Sequence, residues 1–90
     1  METKRKHIVF RGSVQGVGFR YLARQAADRV GCTGWVRNEW DGSVSMEIQG
    51  AEAAIDQVIL AIERGLYVRI VNMDVKELKP VEGEYGFRTY

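Results

Sequence analysis

An α+β fold is predicted, with two amphipathic helices packed on one face of a mostly antiparallel sheet. Three observations carry that expectation. Apolar residues recur with helical spacing in two stretches, near 19–30 and 52–64. Strand-like runs or alternation occupy four others, near 5–11, 33–38, 43–49 and 68–78. Their order along the chain is β-α-β-β-α-β, the split βαβ or ferredoxin-like arrangement, and Phe87–Tyr90 adds a short final strand.

The first strand centres on the unbroken apolar run Ile8-Val9-Phe10, as expected of an interior strand. In the first helix Phe19, Leu22, Ala23, Ala26, Ala27 and Val30 follow the i, i+3, i+4, i+7, i+8, i+11 stripe. Arg24 and Arg29 lie off that stripe, and Gly31 is a good C-terminal stop. The next two strands form a hairpin whose turn is Asp41-Gly42, a strong two-residue signal. Beyond it Val44, Met46 and Ile48 alternate with Ser45, Glu47 and Gln49, so one face is dry and the other wet. The second helix carries Ile55, Val58, Ile59 and Ile62 on one stripe, with Glu52 and Arg64 placed to suit its dipole and Gly65 to end it. In the fourth strand Val71, Met73 and Val75 are expected on the dry face, against Asn72, Asp74 and Lys76, and Pro80 closes the element.

Composition narrows the partners. Ninety residues, 46% apolar and 28% charged, suit one globular domain with a core just large enough to fold without staples. A net charge of +1 gives no general attraction to nucleic acid or to a membrane surface, so any anion affinity must be local. Met-Glu-Thr-Lys-Arg-Lys-His leads straight into a strand, so no signal peptide is expected, and no apolar run approaches membrane length. Cys32 is the one cysteine, which excludes an intrachain disulfide and makes the cytoplasm the expected setting.

The chemistry concentrates in Gly12-Ser13-Val14-Gln15-Gly16-Val17-Gly18-Phe19-Arg20. Three glycines let the backbone bend and approach a ligand closely. The run feeds a helix start where Gln15, Gly16, Val17 and Gly18 offer no favoured side-chain cap. Water or an anion serves the free N–H groups there, and Arg20, a cation at the end of the helix that disfavours one, tilts the choice toward an anion such as phosphate. The run lacks the Gly-Lys-Ser/Thr ending of a nucleotide loop and the parallel βαβ context of a dinucleotide fold. It holds no cysteine or aspartate to form a phosphoenzyme, and Ser13 has no histidine or lysine nearby to activate it. Cys32 reads as core, and His7 has no partner at metal-ligand spacing. The hairpin adds Asn38, an unfavourable residue for a strand, which admits either a turn or a water-positioning explanation. Asp41-Gly42 already supplies the turn.

Gly12 to Arg20 resembles the first signature of the acylphosphatases, and Gly34-Trp35-Val36-Arg37-Asn38-Glu39-Trp40-Asp41-Gly42-Ser43-Val44 resembles the second. Both stand at the family's usual spacing, and residues 1–90 are expected to be a single domain of this kind. The resemblance implies hydrolysis of an acyl phosphate to a carboxylate and inorganic phosphate, with no cofactor, metal or phosphoenzyme. Arg20 matches the phosphate-binding arginine and Asn38 the asparagine that orients the attacking water. The amides of Val14, Gln15, Gly16, Val17 and Gly18 match the cradle for the phosphate oxygens. The segment from Arg64 to Ile70 is shorter than the family's usual Gly/Pro-containing loop, which leaves the shape of the substrate entrance open and does not touch the pair Arg20 and Asn38. Trp40 is expected to cover the sheet edge rather than bind substrate.

Two other jobs fit a fold of this class. An RNA-binding module would need aromatic-rich strands and a basic surface, and neither is present. Acylphosphatase-like domains also open the much longer, cysteine-rich hydrogenase maturation proteins. One cysteine in 90 residues favours a free-standing enzyme that binds a small acyl phosphate and releases phosphate, without nucleic acid or membrane as partner, and a monomer is expected because one core accounts for the apolar stripes.

Overall fold

The computed structural model describes residues 2–90. The elements are β1 (Thr3–Ser13), α1 (Phe19–Val30), β2 (Thr33–Asn38), β3 (Val44–Ala51), α2 (Glu52–Glu63), β4 (Arg69–Leu78) and β5 (Phe87–Thr89). They form one five-stranded sheet in the order β4-β1-β3-β2-β5, antiparallel except where β5 runs parallel to β2. The expected α+β, split βαβ arrangement is present.

Register explains the core. Ile8 on β1 stands opposite Met46 on β3, which stands opposite Val36 on β2. All three are fully buried, so this row faces the helices. The helices meet it with Phe19, Ala23, Ala26 and Ala27 from α1 and with Ile55, Val58 and Ile62 from α2. Phe10 and Phe19 join sheet to helix edge-on, with ring centroids 4.8 Å apart. Truncating Phe10 to alanine would cost about 3–5 kcal/mol, since nothing else reaches that volume. The neighbouring row runs Phe10, Val44, Asn38. Asn38 therefore shares the helix-facing side with two buried apolar residues, at the end of the sheet where α1 begins.

Two local readings need correction. The hairpin loop has three residues, 40–42, rather than two. The Glu39 N–H donates to Ser43 O at 2.8 Å, the Gly42 N–H donates to Glu39 O at 3.2 Å, and Gly42 has φ 94°. A turn closed by a left-handed glycine is the three-residue hairpin solution, and Asp-Gly serves it as well as the tighter one. This longer loop carries Trp40 clear of the sheet, 97% exposed, so Trp40 covers no edge. In β4 the expected alternation fails at Val71, which is 75% exposed. Arg11 pairs with Asn72 but Gly12 pairs with Ile70, so a bulge skips Val71 and moves Ile70 to the inner side. Gly12 is required there: with φ 131°, a Cβ on it would lie 2.2 Å from Arg69 O.

The sheet's other face holds a polar cage. Arg5 is 4% exposed and donates from Nε to Glu47 (3.0 Å), and from Nη1 to Gln49 (3.1 Å) and Glu84 (2.9 Å). Gln49 in turn makes a reciprocal pair with the backbone of Val81, both bonds 2.9 Å. The segment before β5 is thus pinned over the sheet. His7, on the same face, places Nδ1 2.9 Å from Glu47, a structural partner of the kind expected for a satisfied histidine. Among the described residues no helix is long and apolar enough to cross a membrane.

Candidate functional site

The end of β1, the start of α1, the end of β2 and the tip of β5 converge on one cavity of about 370 Å³. Its wall contains Val14, Gly16, Gly18, Phe19 and Arg20 from the first stretch, Asn38 from the hairpin, and Thr89 from β5. Tyr21 and Arg24, along the outer side of α1, complete it. Of the residues expected in the site, Val14, Gly16, Gly18, Arg20 and Asn38 share this wall. Gln15 and Val17 do not line it: Val17 packs toward the core, and Gln15 turns toward the hairpin.

Local backbone geometry makes this end of α1 a cluster of donors. Gly18 takes the cap position with φ 83° and no side chain caps the helix. Gly16, at φ 71°, is also left-handed, a conformation glycine adopts without strain. Among the described residues the first protein-accepted N–H past the loop is that of Leu22, donating to Gly18 O at 3.0 Å. The N–H groups of residues 15–21 find no acceptor among the described residues. These donors sit at the positive end of the helix dipole and favour an anion.

Arg20 is half-buried beside them. Its Nη1 donates to Tyr90 O at 2.5 Å, and no Asp or Glu among the described residues pairs with it. Its fork thus keeps donors for a ligand. The Asn38 carboxamide, half-buried at the strand end, makes no hydrogen bond to protein among the described residues. What holds the two sides together is Gln15, whose Nε2 donates to Glu39 O (2.6 Å) and Ser43 O (2.9 Å). It ties the glycine loop to the hairpin that carries Asn38. The hairpin is stiffened further by Asp41, which accepts from the Ser43 hydroxyl (2.6 Å) and amide (3.0 Å). Those two bonds hold the Asp41 carboxyl below its ordinary range.

The wall contains no carboxylate, histidine, lysine or cysteine. Thr89 and Tyr21 are its hydroxyls, and neither has a base in the wall to activate it. Ser13 pairs with Arg69 at the β1–β4 edge, outside the wall. Cys32 is buried in the core, where desolvation pushes its thiol up and away from reactivity. No group of metal-ligating side chains occurs among the described residues. None of residues 64–70 lines this cavity.

Sequence reasoning missed Tyr21, Arg24 and Thr89. Arg24 could have been found from its i, i+4 spacing to Arg20, and Tyr21 from its i, i+3 spacing to Arg24. Thr89 could have been found from alternation with the buried Phe87, but only once β5 was known to pair with β2 at Val36.

A family model described as Acylphosphatase matches residues 6–89. An acylphosphatase of Geobacillus kaustophilus is 40% identical over 86 residues, 94% of this chain and 92% of that protein. The crystal structure of acylphosphatase from Bacillus subtilis is similar with a TM-score of 0.88 at 33% identity, covering 97% of this chain and 98% of that one. Full-length HypF, in its phosphate- and nucleotide-bound form, gives 0.83 at 25% identity. There 99% of this chain corresponds to 12% of the other.

Proposed function

From the premise that the chain belongs to the acylphosphatase family, a family of hydrolases, we propose that it hydrolyses acyl phosphates through Arg20 and Asn38. One observation carries this reading: Arg20 and Asn38 line the same cavity as Gly16, Gly18 and Phe19, whose N–H groups have no acceptor among the described residues. The amides of the loop from Val14 to Gly18 and the first turn of α1 take the phosphoryl oxygens, with Arg20 supplying charge-assisted bonds. Asn38 holds a water through its carboxamide, oxygen accepting from the water and nitrogen donating to it. The water oxygen attacks phosphorus as the bond from phosphorus to the acyl oxygen breaks. The acyl phosphate dianion and water become a carboxylate and dihydrogen phosphate.

A carboxylate is a good leaving group, so the wall's lack of a base is no obstacle. One water proton stays on the attacking oxygen, which becomes a P–OH group, and the other passes to a phosphate oxygen. Catalysis then rests on positioning and on charge stabilisation of a loose phosphoryl transition state. A phosphoenzyme is not part of this reading, because no activated nucleophile lies in the wall. In this reading residues 1–90 act as one unit, a monomer of the cytoplasm; the near end-to-end match to the Geobacillus and Bacillus proteins supports the single unit.

Phosphate release from benzoyl phosphate tests the roles. Asn38→Ala is expected to lower kcat at least about a hundredfold while inorganic phosphate still binds by calorimetry. Arg20→Gln is expected to lose about a thousandfold in kcat/KM and the phosphate affinity with it. Inactivity of well-folded wild type would sink the enzyme reading, and near-normal turnover by Asn38→Ala would remove the water-holding role.

A further inference from the structure

Arg24 is a cation of the cavity wall to which the proposed chemistry gives no part. It stands one helical turn beyond Arg20 in the same wall, farther along α1 from the phosphate loop. It also lines an adjoining hollow of about 310 Å³, whose wall includes Arg88, Thr89 and Tyr90. Neither wall contains an Asp or Glu, although the chain as a whole is nearly neutral at +1. Positive charge is thus gathered where substrate must lie.

The arrangement is also costly without a ligand. Arg20 and Arg24 are like charges at i, i+4, a pairing that disfavours the helix, and the first turn of α1 has no acidic residue to offset it. The one ion pair of Arg24 among the described residues is Nε to Asp28, at 3.8 Å and well exposed. The two Nη groups, which form the fork that grips a carboxylate, have no protein partner there.

Building on the acyl-phosphate reading, we propose that Arg24 selects substrates whose acyl chain ends in a second carboxylate. With the phosphoryl group on the loop and Arg20, the acyl chain extends past Tyr21 and Thr89 toward Arg24. Residues one turn apart have Cβ atoms about 5–6 Å apart, the reach of a short dicarboxylic chain. Arg24 binds the distal carboxylate and takes no part in bond breaking, so it sets preference rather than rate.

The test compares succinyl phosphate with butyryl phosphate, equal in chain length and differing in the terminal charge. Wild type is expected to favour succinyl phosphate in kcat/KM by about fivefold or more, and ~1 M salt should erase most of that preference. Arg24→Gln should bring the ratio near one, Arg24→Lys should keep part of it, and Arg24→Glu should invert it. The ratio is the readout, so a general loss of activity in a variant does not disturb it. Equal use of both substrates by wild type, or a ratio unchanged in Arg24→Gln, overturns the proposal. If wild type hydrolyses neither, the acyl-phosphate reading itself falls, and this proposal falls with it.

Discussion

Arg5 and Arg20 belong to opposite faces of one sheet and show two uses of the same side chain. Arg5 is buried, and Glu47 and Gln49 of β3 together with Glu84 of the segment before β5 take up its donors. Arg20 is half-exposed and gives one bond to a backbone oxygen. The first is saturated and holds the segment before β5 in place. The second is anchored but unsaturated, beside other donors that are equally unsaturated. A site for an anion is recognisable here by hydrogen-bonding capacity left over, and a structural cation by its absence.

The largest effect that sharpens this contrast is the roughly thousandfold kinetic loss expected of Arg20→Gln, which should leave the unfolding midpoint almost unmoved. Arg5→Gln should do the reverse. Leaving Glu84 and Glu47 without their buried cation is expected to cost about 3 kcal/mol. For a chain of this size that lowers Tm by about 15 °C in a thermal melt. Activity per folded molecule should persist. An Arg5 variant that folds normally yet loses turnover would break the distinction.

Acid unfolding probes the same cage. Burial pushes the Glu84 carboxyl up, but hydrogen bonds from Arg5 and Thr33 and the Arg5 charge outweigh it, leaving it below its ordinary 4.5. A carboxyl depressed in the folded state contributes stability above its unfolded value and loses it as pH falls through the folded value. The Arg5→Gln penalty, read by denaturant melts, should therefore be full at pH 7 and shrink as pH drops below 4.5.

Smaller again is Gln15→Ala. The carbonyls of Glu39 and Ser43 keep other donors, so the stability loss should be about 1 kcal/mol. Yet kcat/KM should fall about tenfold, because the glycine loop and Asn38 lose their tie. A melt and a rate measured on one preparation would separate the two. Trp40→Ala should shift stability by less than about 0.5 kcal/mol, since the indole is almost wholly in solvent.

Legibility in the sequence followed distance along the chain. Arg20 could be read because its glycines, uncapped helix and charge are neighbours. Asn38 could be flagged because an asparagine is unfavourable in a strand and Asp41-Gly42 already supplies the turn. The roles of Arg5 and Gln15 could not, since their partners are 24 to 79 positions away and depend on register. Position 71 was misassigned for a related reason. A bulge leaves no mark on apolar alternation within its own strand, and its sequence cue, Gly12, lies in a different one. Asp41-Gly42 misled more simply, because one dipeptide satisfies two loop lengths.

The bond between Tyr90 O and Arg20 has a practical side. Tyr90 also donates its N–H to Val36 O at 2.9 Å, so its backbone lies beside the wall that Arg20 completes. Any polypeptide fused after Tyr90 would emerge at the rim of the cavity and pull on the guanidinium's anchor. An affinity handle or reporter placed ahead of Thr3 would avoid that rim, since Thr3 and Lys4 pair with Ala51 and Gly50 at the far end of β3 from Val44.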